Sequence, residues 1–180
     1  HLELCRDKEK KYNNDFSAEN FLRVPEPLIQ KQFSRIMSLK DGMKKMSKSD
    51  PSDLSRINLT DEKNEIANKI KKAKTDPMPM PNEVNNLEER PEAQNLLGIY
   101  SCLKGQNLED SVNEFSGKQF SEFKLELSEI LVERIDPISK EIKKLLKDKK
   151  YLDEILFEGA KKADKIASKK VKEIKELVGF

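Results

Sequence analysis

From residue 60 onward the apolar residues of this chain recur every three or four positions, and turn residues cut that pattern into helix-length pieces. Ile66, Ile70 and Ala73 share one face of a helix expected over 61–74, with Thr60 as its N-cap and Lys63 at the capping-box position. Thr75-Asp76-Pro77 ends it, because the residue before proline disfavours helical backbone. Pro77-Met78-Pro79-Met80-Pro81 then reads as a stiff extended loop whose methionines seal a crevice. Arg90-Pro91 opens the next helix, with Leu96, Leu97, Tyr100 and Leu103 on its stripe and Lys104-Gly105 at its end. Asn107 caps a short helix that uses Leu108, Val112 and Phe115. A long stripe follows through Phe120, Phe123, Leu127, Ile130, Leu131 and Ile135, which Pro137 should kink or split. Ile138, Ile142, Leu145 and Leu146 continue it, and a last helix runs from Tyr151 to near Val178. Such a pattern predicts a small antiparallel helical bundle. Phe120 and Phe123 lie on apolar stripes, so they read as core rather than as platforms for stacking bases.

Only 36% of the residues are hydrophobic, 6% are aromatic and Trp is absent, so the core should be modest and aliphatic. The formal charge of +2 is too near neutral to argue for a nucleic-acid partner by itself. From Lys140 to Phe180 there are 13 lysines against 8 acidic residues, a net of +5 that leaves −3 for the rest, and this reads as solvated helix surface. Cys5 and Cys102 have no metal-type spacing, predict no metal site, and read as free thiols of a reducing, cytoplasmic compartment. No apolar run reaches membrane-spanning length. The first residues, His1-Leu2-Glu3-Leu4, are already in mid-helix pattern, with Leu2, Cys5 and Tyr12 on an inner face, and suggest a piece of something longer. His1, alone, reads as structural.

The residues before 60 follow another rule. Asn13 to Pro27 reads as a loop, with Phe21-Leu22-Arg23-Val24 as a short extended segment. Leu28-Ile29 and Ile36 to Leu39 look like strand contributions, the second ending in an Asp41-Gly42 turn. A mobile basic loop should follow, with Lys45 and Lys48 bracketing Ser47 and with Ser49 one residue on. Strand, tight turn and basic loop is how α/β folds present a phosphate site. Two flexible ammonium groups can converge on one polyanion, and hydroxyl and amide groups add shorter donors. On the lysine pattern alone, however, such a loop in a chain that is 38% charged is more often solvated surface.

The string Lys45-Met46-Ser47-Lys48-Ser49 resembles the second signature loop of class I aminoacyl-tRNA synthetases, and its flanks, Arg35 to Leu39 and Asp50-Pro51, resemble the tryptophanyl family. So do His1-Leu2-Glu3-Leu4-Cys5-Arg6-Asp7 (with Cys5 where threonine is common), Arg90-Pro91 through Asn95-Leu96-Leu97 to Tyr100, Phe123-Lys124, and Glu158 to Ala163. The resemblance implies a mainly α chain: a helical, anticodon-binding-like bundle attached to the C-terminal remnant of an α/β Rossmann-type catalytic domain. It implies residues 1–59 as that remnant, 60–146 as a helical tRNA-binding domain, and 147–180 as a C-terminal helix folding back on the catalytic domain.

In function the resemblance implies ATP-dependent activation of tryptophan to its adenylate and transfer to tRNA, by an intact enzyme that is a homodimer. Lys45 and Lys48 would stabilise charge as pyrophosphate leaves, Ser47 and Ser49 would assist, and backbone at Ile36 and Met46 would border the adenine. Magnesium would accompany the ATP. The other class I signature, a His-x-Gly-His-like element, is not in this sequence, so the chain alone is not expected to activate tryptophan. A tyrosyl-type relative and a non-catalytic helical RNA-binding module with a relict loop remain as alternatives.

Overall fold

The computed structural model describes residues 1–19, 21–28 and 33–180. They form two compact units, residues 31–147 and residues 1–30 with 148–180.

The larger unit is a helical bundle with one small hairpin inserted at its edge. Its helices are α2 (Lys63–Lys72), α3 (Pro91–Lys104), α4 (Leu108–Phe115) and α5 (Phe120–Leu145), and its strands are β1 (Met37–Ser38) and β2 (Asp41–Lys45). The expected stripes as far as Ile135 converge on one core: Ile66 and Ile70 of α2, Leu96, Leu97 and Tyr100 of α3, Val112 and Phe115 of α4, and Phe123, Leu127 and Leu131 of α5. Ile138 and Leu146, expected to continue the last stripe, are exposed. At its centre Tyr100, Phe115 and Phe123 meet edge to face, with ring centroids 4.9–5.9 Å apart. That geometry sets the positive rim of one ring against the negative face of the next. Arg90, itself buried, ties the long proline-rich loop to the start of α3. Its guanidinium donates to both carboxylate oxygens of Asp76 at 2.7 and 2.9 Å and to the Pro79 carbonyl at 2.8 Å. Met80 is buried, as a sealing residue should be, whereas Met78 is exposed.

Three expectations about local structure need correction. Pro137 does not split α5 or end it, and the helix runs unbroken from Phe120 to Leu145. Pro137 and Glu133 both face solvent, so the carbonyl that loses its partner lies on the wet side while Ile135 and Ser139 stay in the core. Thr60 does not cap α2. Asp61 turns inward instead, and Glu62 takes the N-cap position in a capping box with Glu65, whose carboxylate accepts from the Glu62 amide at 2.7 Å. At its other end α2 stops at Lys72, and the Lys124 ammonium of α5 donates to the carbonyls of Ala73 (2.6 Å) and Lys71 (3.3 Å). Asp41-Gly42, third, is not the hairpin turn. Ser38 pairs with Asp41, so the turn is Leu39-Lys40 and Asp41-Gly42 begins β2.

The turn chose Leu39 because the bundle holds it. Leu39 is buried, its amide donates to the Ser55 carbonyl at 2.9 Å, and its carbonyl accepts from the Lys74 amide at 2.7 Å. Gly42 serves a close approach: a Cβ there would stand 2.6–2.9 Å from backbone atoms of Pro91 and Glu92.

The smaller unit holds α1 (Leu2–Asp15) and α6 (Lys149–Val178), with Asp148 capping α6 by accepting from the Tyr151 amide at 3.0 Å. Tyr12 stacks near Phe16 and Phe21, and the Lys170 ammonium sits 4.1 Å from the centre of the Phe21 ring. Tyr12 is half-buried as expected, but Leu2 and Cys5 are exposed. Phe21 to Val24 joins no strand among the described residues, Leu28 is fully exposed, and Ile29 lies outside the described residues.

Candidate functional site

The hairpin delivers a short loop, residues 46–52, to the surface of the larger unit. Its two strands are joined beyond the ladder by a bond from the Met46 amide to the Ile36 carbonyl at 3.0 Å. Lys45 is therefore the last residue of a strand, where a loop position was expected, and only Met46 onward is free of the ladder. Met46 is half-buried and packs against the core, which fixes the first step of the loop. Ser47 then turns the chain: its hydroxyl accepts from the Ser49 amide at 3.2 Å and its carbonyl from the Asp50 amide at 3.4 Å. A second turn follows as the Asp50 carboxylate accepts from the Ser52 amide at 2.8 Å.

Past the turns the chain is clamped. Arg56 donates to the Asp50 carbonyl at 2.9 Å, to Asn58 Oδ1 at 3.1 Å, and lies 3.1 Å from the Asp53 carboxylate. Lys69 of α2 stands only 3% exposed between two carboxylates, 2.7 Å from Asp53 and 2.6 Å from Asp61. Burial pushes the Lys69 ammonium down, but its hydrogen bonds to Asp53 and Asp61 outweigh that and hold it above the usual lysine range. The Lys69 ammonium and then the Asn58 amide hold the Asp53 carboxyl below its ordinary value. The loop thus leaves the hairpin and returns to α2 through fixed points, and residues 47–49 are exposed between them.

Lys44, Lys45 and Lys48 are all exposed, but they are not equivalent. Lys44 lies 3.5 Å from the Asp41 carboxylate, whose pKa is lowered first by the Met43 amide and also by Lys44. Lys45 and Lys48 have no ion-pair partner among the described residues. Ammonium groups that lack a carboxylate partner among the described residues, next to small hydroxyl residues, have the chemistry to take an anion. The structure brings Ile36 and Met46 together by a direct backbone bond and joins Ser47 to Ser49 by the turn. The clefts between α2 and α5, about 650 Å³, and beside Pro79 and Asn86, about 700 Å³, are lined by other residues. Among the described residues no group of three His, Cys, Asp or Glu side chains is placed to hold a metal ion.

Sequence reasoning missed the anchors. Asn95, quoted only as part of a segment, has its amide on β1, where Oδ1 accepts from the Met37 amide and Nδ2 donates to the Met37 carbonyl, both at 2.9 Å. The apolar pattern does not single out Lys69, although its position between Ile66 and Ile70 puts it near the buried face. Eight residues separate it from Asp61, two helical turns and a cap, and that spacing was the available signal.

A family profile described as tRNA synthetases class I (W and Y) matches residues 1–136. The chain belongs to this family. Among the class I relatives, the tryptophan–tRNA ligase of Caulobacter vibrioides is 49% identical over all 180 residues, which cover 52% of that protein. That of Rickettsia felis is 48% identical over the whole chain and 54% of its own length. The chain spans about half the length of the curated relatives it matches. The crystal structure of tryptophanyl-tRNA synthetase from Mycoplasma pneumoniae superposes on the whole chain with a TM-score of 0.86 at 26% identity, over 53% of that enzyme. The Campylobacter jejuni enzyme, solved with ADP and tryptophan, superposes with a TM-score of 0.67 at 23% identity and so supports the fold. Family and fold agree with the resemblance to class I synthetases.

Proposed function

We propose that this chain is the C-terminal part of a tryptophan–tRNA ligase and that its hairpin loop handles the triphosphate of ATP during tryptophan activation. The observation that carries the reading is the pair of lysines, Lys45 and Lys48, that have no ion-pair partner among the described residues, on a loop fixed at both ends. In the reaction a tryptophan carboxylate oxygen bonds to the α-phosphorus while the bond from that phosphorus to the bridging oxygen breaks. Negative charge grows on the departing pyrophosphate, and ammonium groups aimed at it stabilise the transition state more than the bound ground state. Ser47 and Ser49 add hydroxyl or amide donors, and the Ile36–Met46 backbone pair borders the adenine. Magnesium carried on the phosphates would neutralise further charge when bound.

Within this reading residues 1–59 belong to the catalytic domain, 60–146 meet the anticodon end of tRNA, and 147–180 form a closing helix. The intact enzyme is a cytoplasmic homodimer. The support is the set of tryptophan–tRNA ligase relatives at 43–49% identity along the whole chain.

The test is tryptophan-dependent ATP–pyrophosphate exchange by the whole synthetase carrying single substitutions. Lys48→Ala should slow exchange by about a hundredfold, a loss of roughly 3 kcal/mol, comparable to removing one oxyanion donor. Lys45→Ala should act in the same direction. Lys44→Ala, whose charge is already matched by Asp41, should be nearly silent. Transfer from preformed adenylate should change much less, because pyrophosphate has already left. Small and equal losses at all three lysines would return the loop to solvated surface.

A further inference from the structure

We infer that Asn95 is a positioning residue for the phosphate loop: its side-chain amide acts as a third strand beside β1 and sets where Lys45 and Met46 stand. This inference rests on the reading above that the loop acts on ATP phosphates.

The hairpin is too small to fix itself. β1 has two residues and one strand neighbour, and its pairing with β2 is interrupted by an irregularity between Met37 and Ser38. A two-stranded ribbon of this size is marginal alone. On its outer edge Met37 would expose an unpaired amide and an unpaired carbonyl. Asn95, 7% exposed, fills both with one planar group at 2.9 Å on each side, the spacing of a strand neighbour. Across the ladder Met37 pairs with Lys45, and one residue back the Ile36 carbonyl accepts from the Met46 amide at 3.0 Å. A continuous series of hydrogen bonds therefore runs from α3 through Asn95 and Met37 to the strand end that carries Lys45.

The other end of β2 is fixed by the same helix. Gly42 packs against the backbone of Pro91 and Glu92 at the start of α3 with no room for a methyl group. With β2 held at Gly42 by contact and β1 held at Met37 by the Asn95 amide, α3 sets the orientation of the hairpin at two points. An ammonium group that must meet a developing charge loses much of its effect when displaced by about an ångström. A buried asparagine serving only to satisfy backbone groups would matter to folding alone. One serving to place Lys45 should matter to the step in which Lys45 acts.

Two substitutions separate these roles. Asn95→Asp keeps the shape and the acceptor for the Met37 amide but turns a carboxylate oxygen toward the Met37 carbonyl. Asn95→Leu removes both bonds while keeping the same branched four-atom side-chain skeleton. In the whole synthetase, Asn95→Asp should lower kcat for ATP–pyrophosphate exchange by roughly ten- to a hundredfold, with the KM for ATP and transfer from preformed adenylate changed less than about threefold. Adding Lys45→Ala to Asn95→Asp should cost much less than Lys45→Ala costs alone, because the lysine is already misplaced. Three results would overturn the inference: losses of exchange and transfer in equal proportion, independent multiplication of the two substitutions, or failure of both Asn95 variants to fold. Each would assign Asn95 to the bundle rather than to the loop. A silent Lys48→Ala would instead overturn the phosphate reading itself, so the two failures are distinguishable.

Discussion

Replacing Gly42 with alanine should destabilise this protein although alanine is the better residue for most backbone. Gly42 does not adopt a left-handed conformation, unlike Gly105, Gly117 and Gly179, so its backbone torsions would tolerate a side chain. The obstacle is contact. The new Cβ would lie 2.6 Å from the Pro91 carbonyl carbon, 2.7 Å from the Glu92 nitrogen and 2.9 Å from the Pro91 oxygen. Unstrained non-bonded carbon contacts lie near ~3.5–4.0 Å, so about an ångström must come from moving β2 or the first turn of α3. None of the three atoms belongs to a side chain that can rotate away. Overpacking of this kind costs ~1–3 kcal/mol, and the rigid neighbours favour the upper half of that range. The loss of unfolded-chain entropy returns ~0.4–1 kcal/mol. A net loss of about 2 kcal/mol follows, or about 4–8 °C in Tm for a protein of this size. Urea unfolding followed by helix circular dichroism measures it. Gly159→Ala is the internal control, since nothing lies within 4 Å of a Cβ there and the residue sits inside α6. That change should stabilise α6 by about 0.5–1 kcal/mol. If Gly42→Ala proved as stable as the wild-type protein, the close approach of β2 to α3 would be wrong, and with it one of the two points that fix the hairpin.

The ion cluster behind the loop and the Glu92–Lys74 pair give two more predictions. Lys69→Met should cost about 3 kcal/mol in urea unfolding, because it strands the buried Asp61 carboxylate, whereas Asp53→Asn, at an exposed carboxylate, should cost far less; equal losses would mean that the cluster does not depend on burial. The Glu92 carboxyl is held below its ordinary value first by Lys74, 2.7 Å away, so its stabilising effect is present above the usual glutamate pKa and is lost as pH falls through the depressed one. Stability should therefore drop on acidification from about pH 5 toward pH 3, less steeply in Glu92→Gln, and superimposable acid limbs would show that the pair contributes nothing. On the alkaline side Lys74, held above its ordinary value by Glu92, keeps its effect until pH rises past the usual lysine range.

How much of the site was legible follows from what each residue touches. The loop at residues 45–49 could be picked out because its resemblance to the class I signature is carried by one contiguous string, Lys45 to Ser49, which depends on no distant partner. Helix caps at Asn107 and Gly105 were legible for a like reason, since each bonds backbone only three or four residues away. Asn95, Lys69 and Arg90 were not. Each is polar on or beside an apolar stripe, and each is explained by a partner that the stripe does not name. Met37 lies 58 residues from Asn95, and Asp76 lies 14 residues from Arg90 across a proline-rich loop.

The periodicity after residue 60 determined by itself that this chain makes amphipathic helices. The stripes of α2, α3, α4 and α5 bury one another, whereas α6 carries the same repeat with no buried residue. A 3.6-residue repeat provides an apolar face, and only a neighbour can cover it. Tertiary structure alone decided where the hairpin turns. An Asp-Gly pair offers a turn at low cost, but burying Leu39 between the Ser55 carbonyl and the Lys74 amide and pressing Gly42 against α3 moved the turn two residues earlier. The same holds for Pro137, whose cost depends on whether the carbonyl of Glu133 faces protein or water. The sequence holds the residues that make these choices, but a hydrogen-bonding preference of about 1 kcal/mol is settled by whichever partner the rest of the fold brings within reach.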